Sequence, residues 1–469
     1  KKFGYKPYPD YSNDNFSTEL TKKAEFFYNK TEYNDQVNPC NKNFELKENQ
    51  IFLKNFMNNK TPYKGLLVYH GVGTGKTCSA LTVSENFRDT FGEKDKRVII
   101  LVPTNNVEQG WRQNIYDSKK GNEQCTGDIF LNYARGENMG DNRKKIDKMI
   151  NKYYEFYGYR GFAGNIKSKV RQLMKGYSQN HIDRMIKEKL IKNIEEFKEI
   201  LTKTFIKKYY SNRLLIIDEI HNIRDKANNS NEAEKKEIKE SLKYIEKVVK
   251  YADNLKLLLL SATPMFNKAD EIVWLLNLLL LNDNRELINE TEIFENGMVT
   301  ESGGEILKNK CNGYISYLRG ENPGSFPTRY YPDVNGDSLC LRPSDNPYPL
   351  IDIFGNKTQG IQYLKLYKNE FIGKQLETYS DELKKIKNKS KLTLTEISNF
   401  KQLSNISYDN LFGMEGFNST FSKDTTKKIS SFKYIDEKNP ILDNKNLKNY
   451  SIKIHNIIEK IKTSTGIIF

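Results

Sequence analysis

Four short, continuous apolar runs stand out in the first half of the chain, at 65–69, 98–102, 214–217 and 257–260. Each run is followed directly by proline or by a polar residue. Runs of this length without polar alternation are typical of strands that are buried on both faces of a parallel sheet. Segments with helical spacing separate them. The pattern therefore predicts an α/β fold, with a doubly wound, mainly parallel sheet and helices on both faces.

Two further segments carry a weaker pattern. Residues 154–157 are predicted to add a strand between the second and third runs. Between residues 181 and 208, apolar side chains recur at helical spacing and predict an amphipathic helix. These side chains are Ile182, Met185, Ile186, Leu190, Ile194, Phe197 and Leu201. We interpret about 165–205 as a helical insertion, because the chain between the second and third runs is long for one crossover.

Three further features concern a core helix, the N-terminal segment and the absence of a membrane-spanning pattern. The run 272–281 is almost wholly apolar, but ten residues cannot span a bilayer, so a core helix is predicted. Residues 1–44 are polar and aromatic without clear periodicity, and we expect them to form an arm over the sheet. No signal peptide or transmembrane segment is evident, so no membrane partner is expected.

The first apolar run leads into a glycine-rich loop suited to phosphate. The segment reads His70, Gly71, Val72, Gly73, Thr74, Gly75, Lys76 and Thr77, and a helix is expected to follow. Glycines let successive backbone N–H groups face one anion, and the helix adds the positive end of its dipole. Lys76 is predicted to reach the β- and γ-phosphates of ATP, and the Thr77 hydroxyl to ligate Mg²⁺. The strict Walker A pattern has glycine where this chain has His70.

Polar residues also follow the third and fourth apolar runs. Ligands of parallel α/β sheets bind at the carboxyl ends of the strands. We therefore expect Asp218 to hold Mg²⁺ and Glu219 to act as general base on the attacking water. Ser261 and Thr263 are expected to hydrogen-bond these carboxylates and to sense the γ-phosphate. Taken alone, the carboxylate pair would equally suit a helix cap.

Charge is unevenly distributed. The net charge is +15, and residues 141–213 hold 19 Lys and Arg against 8 Asp and Glu. This concentration favours a polyanion partner over a general lysine-rich coding bias. A solvated face of a packed helix is the alternative. If the surface binds nucleic acid, nearby aromatic residues are candidates for stacking on bases, namely Tyr153, Tyr154, Phe156, Tyr157 and Tyr159.

The cysteines show no metal-binding spacing. The chain has five, at positions 40, 78, 125, 311 and 340, with no CxxC pair. A reducing, intracellular setting is the simplest interpretation. Cys78, next to Thr77, is interpreted as a packing residue rather than a nucleophile.

The order of the motifs resembles the first RecA-like lobe of superfamily 2 helicases and translocases. That family has a GxGKT loop, a DExH strand end and an SAT segment, which here are 73–77, 218–221 and 261–263. The resemblance implies that His221 belongs to the catalytic motif and that Gln50 reads adenine. Residues 98–104 resemble the strand and loop that contact the nucleic-acid backbone. The implied activity is an ATPase that uses ATP and Mg²⁺ and moves on nucleic acid, with DNA favoured over RNA.

A narrower resemblance concerns helicases of large DNA viruses, of the poxvirus early-transcription-factor small subunit and nucleoside triphosphatase I type. It rests on residues 317–323 and 326–327 and, more weakly, on 450–453 and 466–469. It implies a role in viral transcription or genome handling, with transcription proteins as partners, in a viral factory or virion.

The family organisation implies several segments in this chain. They are an arm at 1–44, a RecA-like first lobe at 45–330, an interlobe linker at 331–445 and an incomplete start of the second lobe at 446–469. Since the second lobe supplies arginines that complete the ATP site in the family, and the chain starts at Lys1, we expect a fragment that binds ATP but hydrolyses it poorly.

Two other functions remain open from the sequence. One is the motor of a restriction or defence system that works with a separate nuclease. The other is a structural or packaging module in which the nucleotide is not turned over, although a water-polarising Glu219 would be superfluous there.

Overall fold

The computed structural model describes residues 7–28, 45–88, 96–121, 123–136, 142–223, 232–265, 268–318, 340–341, 356–357, 366–367, 369–387, 389, 391–424 and 431–462. The chain divides into two compact units, 1–325 and 326–469. The phosphate loop and the acidic motif both belong to the first unit.

A six-stranded sheet forms the centre of the first unit. Its strands are β1 (Gly65–His70), β2 (Val98–Val102), β3 (Tyr154–Gly158), β4 (Leu214–Ile217), β5 (Lys256–Ser261) and β8 (Ile315–Leu318). The strand order is β3-β2-β4-β5-β1-β8, and every neighbouring pair is parallel. A small antiparallel hairpin, β6 (Phe294–Glu295) and β7 (Met298–Val299), lies apart from this sheet. The predicted α/β fold with a mainly parallel sheet is confirmed.

The strand register brings the predicted site residues to one edge. Leu101 pairs with Ile217, Ile217 with Leu259, and Tyr69 with Ser261. The carboxyl ends of β1, β2, β4 and β5 are therefore level with one another. The phosphate loop, the acidic motif and the SAT segment all leave the sheet at this edge.

Helices of the first unit connect and cover the strands. They are α1 (Phe16–Leu20), α2 (Ala24–Phe27), α3 (Glu48–Phe56), α4 (Lys76–Arg88), α5 (Asn105–Ile115), α6 (Ile129–Gly136), α7 (Arg143–Ile150), α8 (Tyr159–Met174), α9 (Gln179–Lys187), α10 (Ile194–Tyr210), α11 (Glu232–Tyr251), α12 (Glu271–Asn282), α13 (Glu290–Ile293) and α14 (Glu301–Cys311). The four residues of β4 are completely buried, which explains why the strand contains no polar position.

The predicted helix over 181–208 is wrong in one respect, because the structure has two helices there. α9 ends at Lys187, and α10 begins at Ile194 behind the capping side chain of Asn193. Lys189 between them adopts a left-handed conformation with φ of 56°, which a continuous helix cannot contain. Leu190, which fitted the apolar spacing, is 65% exposed.

The predicted core helix and part of the predicted arm both lie in well-packed segments. The apolar run at 272–281 lies within α12, most of which is buried. Tyr11 and Phe16 of the expected arm stack on each other and pack against Tyr63. Among the described residues, no helix has the length and apolar character that crossing a membrane requires.

Cys78 does not have the free thiol that the reducing interpretation implied. Its sulfur is bonded to that of Cys125, and the two Cα atoms are 5.2 Å apart. The disulfide joins α4 to the segment before α6.

The second unit contains two short antiparallel strand pairs and several helices. The strands are β9 (Cys340–Leu341), β10 (Leu366–Tyr367), β11 (Phe421–Asp424) and β12 (Ser431–Tyr434). The helices are α15 (Gly373–Ile386), α16 (Leu394–Leu403), α17 (Gly413–Thr420), α18 (Leu447–Tyr450) and α19 (Ile452–Lys462). The family-like segments at 319–323, 326–327 and 466–469 lie outside the described residues.

Candidate active site

The phosphate loop connects the end of β1 at His70 to the first residue of α4, Lys76. Gly73 and Gly75 have φ of 77° and 84°, in the left-handed region where a β-carbon is strained. The Thr74 hydroxyl donates to the carbonyl of Gly71 at 2.8 Å and holds the loop closed on itself. Lys76 lies over the same loop, with its ammonium 3.5 Å from the Gly71 carbonyl oxygen.

Asp218 follows β4 and is nearly buried, at 6% exposure. Burial raises its pKa to about 6, and the adjacent charge of Glu219 also raises it. The positive charge of Lys76 acts on the same pKa in the opposite direction. Lys76 and Asp218 also leave the sheet at the same edge, as a shared phosphate and metal site requires.

The tryptophan of α5 holds the Asp218 side chain. The indole Nε1 of Trp111 donates to Oδ2 of Asp218 at 2.7 Å, and Trp111 itself is 1% exposed. A donor that bonds the ionised form lowers a carboxyl pKa, so Trp111 opposes the effect of burial. Sequence reasoning missed this residue, since its only visible signal was a lone tryptophan seven residues after Thr104.

Tyr159, the first residue of α8, holds the backbone of the acidic motif. Its hydroxyl donates to the carbonyl oxygen of Asp218 at 2.5 Å and lies 3.1 Å from that of Glu219. Burial raises the pKa of Tyr159 well above its ordinary value, so the hydroxyl keeps its proton. The predicted role of Tyr159 in base stacking is not available to it, because the side chain is only 8% exposed, and the fully buried Tyr154 is likewise inaccessible to a base.

Glu219, His221, Ser261 and Thr263 form one connected group. Nδ1 of His221 lies 3.4 Å from the Glu219 carboxylate and 2.9 Å from the Ser261 hydroxyl. The same hydroxyl accepts a hydrogen bond from the backbone N–H of Thr263 at 3.1 Å. Glu219 has φ of 48°, which is unusual for a residue with a side chain. The structure thus brings the acidic motif and the SAT segment together.

Gln50 touches the phosphate loop rather than open space. It is 4% exposed, and its amide nitrogen lies 3.5 Å from the carbonyl oxygen of Gly75. Its amide oxygen accepts from the backbone of Lys47 at the start of α3. A β-carbon on Gly75 would come within 3.0 Å of the Gln50 amide. Adenine recognition by Gln50 remains a prediction.

His70 joins the loop to the edge strand β8. It is 1% exposed, and its Nε2 lies 2.9 Å from the Ser316 hydroxyl. Burial, helped by the charge of Lys76, lowers the pKa of His70 to about 4. The ring is therefore neutral near neutral pH and acts as a hydrogen-bonding link instead of a charge.

The residues present fit a nucleotide with Mg²⁺ better than a metal held by the protein alone. In the part of the chain that the structure describes, no group of three or more His, Cys, Asp or Glu side chains could hold an ion. Mg²⁺ commonly takes one or two protein oxygens and completes its shell with phosphate and water. The Thr77 hydroxyl and the Asp218 carboxylate are the candidate protein oxygens.

Comparisons with known proteins agree with this geometry. The family model described as "Type III restriction enzyme, res subunit" matches residues 43–266. Two Acanthamoeba polyphaga mimivirus proteins, named as candidate ATP-dependent RNA helicases, are each 26% identical and cover 92% and 91% of this chain. The chain spans only 38% and 60% of their lengths.

Two further similarities are more distant. An African swine fever virus protein, named "Early transcription factor large subunit homolog", is 24% identical over 66% of the chain and 31% of its own length. A solved structure, the Sulfolobus solfataricus SWI2/SNF2 ATPase core in complex with dsDNA, aligns with 77% of this chain and 58% of its own chain. Its identity is 12% and its TM-score is 0.32.

Proposed function

We propose that this chain is a member of the superfamily 2 DExH helicases and translocases and forms the ATP-binding part of a motor that moves on nucleic acid. The observation that carries the proposal is the arrangement at the sheet edge, where the phosphate loop with Lys76 leaves β1, Asp218 follows the neighbouring end of β4, and Glu219 lies beside His221. An ATPase needs the loop lysine and the two carboxylates close together in space. Their positions along the sequence do not determine whether they are. The restriction and structural alternatives are not favoured, because the relatives that match most of the chain are named as helicases.

In the proposed reaction, the loop N–H groups and Lys76 bind the β- and γ-phosphates. Thr77 and Asp218 would hold Mg²⁺, which supplies charge neutralisation to the phosphate oxygens when bound. Glu219 accepts a proton from the attacking water, a task typically worth about 10²–10⁴-fold in rate. His221 and Ser261 tie that carboxylate to the strand end of β5, so that a change at the γ-phosphate reaches the SAT segment.

We also propose that the segments of this chain follow the organisation of the family. Residues 45–330 would form the first RecA-like lobe with its helical insertion at about 165–205, 331–445 the interlobe linker, and 446–469 the entry to a second lobe. The partners would be nucleic acid, with DNA favoured over RNA, and viral transcription proteins.

The basic surface is proposed to contact the nucleic-acid backbone. Lys144, Lys145 and Lys148 on α7 are exposed. α7 is anchored beside α5 by the Arg112–Asp147 pair at 3.3 Å, and α5 starts just after the Pro103 loop. Some lysines elsewhere in the basic region are already paired, as Lys167 is with Glu240 at 2.7 Å. The lysines of α7 are better candidates than these, because they are exposed on a helix anchored next to the Pro103 loop.

The test measures ATP turnover and binding by the full-length protein with duplex DNA, single-stranded DNA and single-stranded RNA of equal length. At least one of them should raise turnover, and binding should weaken by at least about tenfold between 50 and 200 mM salt. Replacing Lys144, Lys145 and Lys148 by Gln should lower the salt slope by about 2–3. As a matched control, the same change at the exposed Lys384, Lys385 and Lys387 should leave the slope unaltered. Absence of stimulation by all three would contradict the motor proposal.

A further inference from the structure

A single hydroxyl group connects α8 to the acidic motif. The Tyr159 hydroxyl is within hydrogen-bonding distance of two consecutive carbonyl oxygens, those of Asp218 and Glu219. A phenol has one proton to donate, and the shorter distance, 2.5 Å, assigns it to Asp218. The contact therefore fixes the orientation of the peptide unit between the two catalytic carboxylates.

That peptide unit needs an external restraint. Glu219 has φ of 48°, a left-handed conformation that costs a residue with a β-carbon some free energy. Such a conformation persists only when surrounding contacts impose it. The backbone N–H of Ile220 donates to the carbonyl of Leu260 at 3.2 Å, which restrains one side. Tyr159 restrains the other side.

Tyr159 also forms part of a cavity at the ends of β2 and β3. The cavity has a volume of about 380 Å³, and its wall includes Pro103, Gly158, Arg160, Asn222 and Ser241. Arg160 pairs with Glu237 at 3.0 Å, but both side chains are more than half exposed. An exposed pair of this kind is weak, so a phosphate can displace Glu237 from the guanidinium.

We propose that Tyr159 is a positioning residue that connects this cavity to hydrolysis. It holds the Asp218–Glu219 peptide in its left-handed conformation, and a nucleic-acid backbone phosphate bound beside Arg160 shifts α8 and with it the Glu219 carboxylate. The coupling to nucleic acid rests on the proposed function. The restraint on the peptide does not, because it follows from the hydrogen bond alone.

The first test needs no turnover. Tyr159→Phe removes only the hydroxyl, and amide hydrogen exchange of the peptide covering 214–223 should become about 5- to 10-fold faster. The matched control is Tyr63→Phe, because the buried Tyr63 hydroxyl also donates to a backbone carbonyl, that of Pro9, at 3.0 Å. Tyr63→Phe should leave exchange in 214–223 unchanged. Equal exchange in Tyr159→Phe and wild type overturns the proposal.

The second test uses ATP turnover of the full-length protein, with the three nucleic acids named above. Tyr159→Phe should lower kcat about tenfold and leave KM for ATP within about twofold, since the phosphate loop is untouched. Stimulation by nucleic acid should also be largely lost. A loss of kcat without any stimulation of the wild type would overturn the motor function and leave the positioning role standing. Unchanged kcat in Tyr159→Phe would overturn the positioning role. If nucleic acid stimulated Tyr159→Phe by the same factor as it stimulates the wild type, the coupling would be overturned.

Discussion

Each end of the central sheet contains a buried charged side chain, Lys256 at one end and Asp218 at the other, and the two differ in how fully they are hydrogen-bonded. Lys256 starts β5 at the amino edge and is 4% exposed, while Asp218 follows β4 at the carboxyl edge and is 6% exposed. The Lys256 ammonium donates to the carbonyls of Asn58, Thr61 and Tyr63 at 2.7–3.2 Å. Three donors meet three acceptors, so the amino edge leaves this group with nothing further to bind.

Asp218 is only partly satisfied by comparison. The Trp111 indole and the backbone of Glu219 hydrogen-bond a carboxylate that can accept about four bonds. Burial raises the pKa of Asp218 to about 6 and lowers that of Lys256 to about 8. Burial disfavours the charged form of both groups, but only the Lys256 ammonium has a hydrogen-bond partner for each of its donors. We interpret the edge with Asp218, whose carboxylate can still accept hydrogen bonds, as the ligand-binding edge. We interpret the edge with Lys256, whose three donors are all bonded, as a structural edge.

The largest expected effect concerns catalysis at the carboxyl edge. Glu219→Gln in the full-length protein should reduce ATP turnover by about 10²–10⁴-fold, because the amide cannot accept the proton from water. ATP affinity should stay within about threefold, since Glu219 is not part of the phosphate loop. Turnover by steady-state kinetics and affinity by calorimetry give the two numbers.

Lys76→Ala is the companion variant for that experiment. It removes the positive charge beside the phosphates and should weaken ATP binding itself, unlike Glu219→Gln. If Glu219→Gln retains turnover, Glu219 is not the base, and the functional assignment of this edge fails.

The second largest expected effect is on stability, and it compares variants at Lys256 with variants at Asp218. Lys256→Met leaves three buried carbonyls without a donor and should lower the free energy of unfolding by about 2–4 kcal/mol. Asp218→Asn keeps an acceptor for Trp111 and removes a buried charge, so it should be neutral or stabilising at pH 7. Urea unfolding of this chain compares the two variants. Equal destabilisation by both would show that the two edges do not differ.

The smallest effect is a pH dependence. Because the folded pKa of Asp218 is raised above its unfolded value, the protonated form favours folding, and stability falls as pH rises from about 4 to about 6. Trp111→Phe removes a donor to the ionised form and raises the pKa further. The additional loss between pH 4.5 and pH 7 should be about 1 kcal/mol in metal-free protein.

Trp274→Phe is the matched control for that titration. Trp274 donates to the Glu246 carboxylate at 3.0 Å, away from the acidic motif, and it is the only other tryptophan in the chain. Each variant therefore keeps one tryptophan as a fluorescence reporter. An identical pH profile in both variants would mean that Trp111 does not act on Asp218.

The sequence predicted the parts of the fold whose signal is local. The apolar runs inside β1, β2, β4 and β5 were recognisable because residues 66–68, 98–102, 214–217 and 257–260 are all buried. β8 was missed, since Tyr317 and Leu318 are exposed at the sheet edge and Ser316 interrupts the run. The helix break at Lys189 was missed because a left-handed residue without glycine leaves no mark in the apolar spacing.

The candidate site shows the same division. Lys76, Asp218 and Glu219 were found because their motifs are contiguous. Trp111 and Tyr159 lie 107 and 59 residues from Asp218 and carry ordinary side chains in ordinary helices. Their importance comes from an indole and a hydroxyl reaching one peptide unit, which is a fact of three-dimensional distance that no spacing rule contains.

The pairing of β1 with β8 has a consequence for biosynthesis. His70 meets Ser316 across 246 residues, so the edge of β1 stays uncovered on the ribosome until that distant segment has emerged. At about 5–20 residues per second, this wait lasts roughly 12 to 50 seconds. During that time the nascent chain presents an open strand to its neighbours. The strand that leads into the nucleotide loop is thus protected from misassociation on this side only late in synthesis.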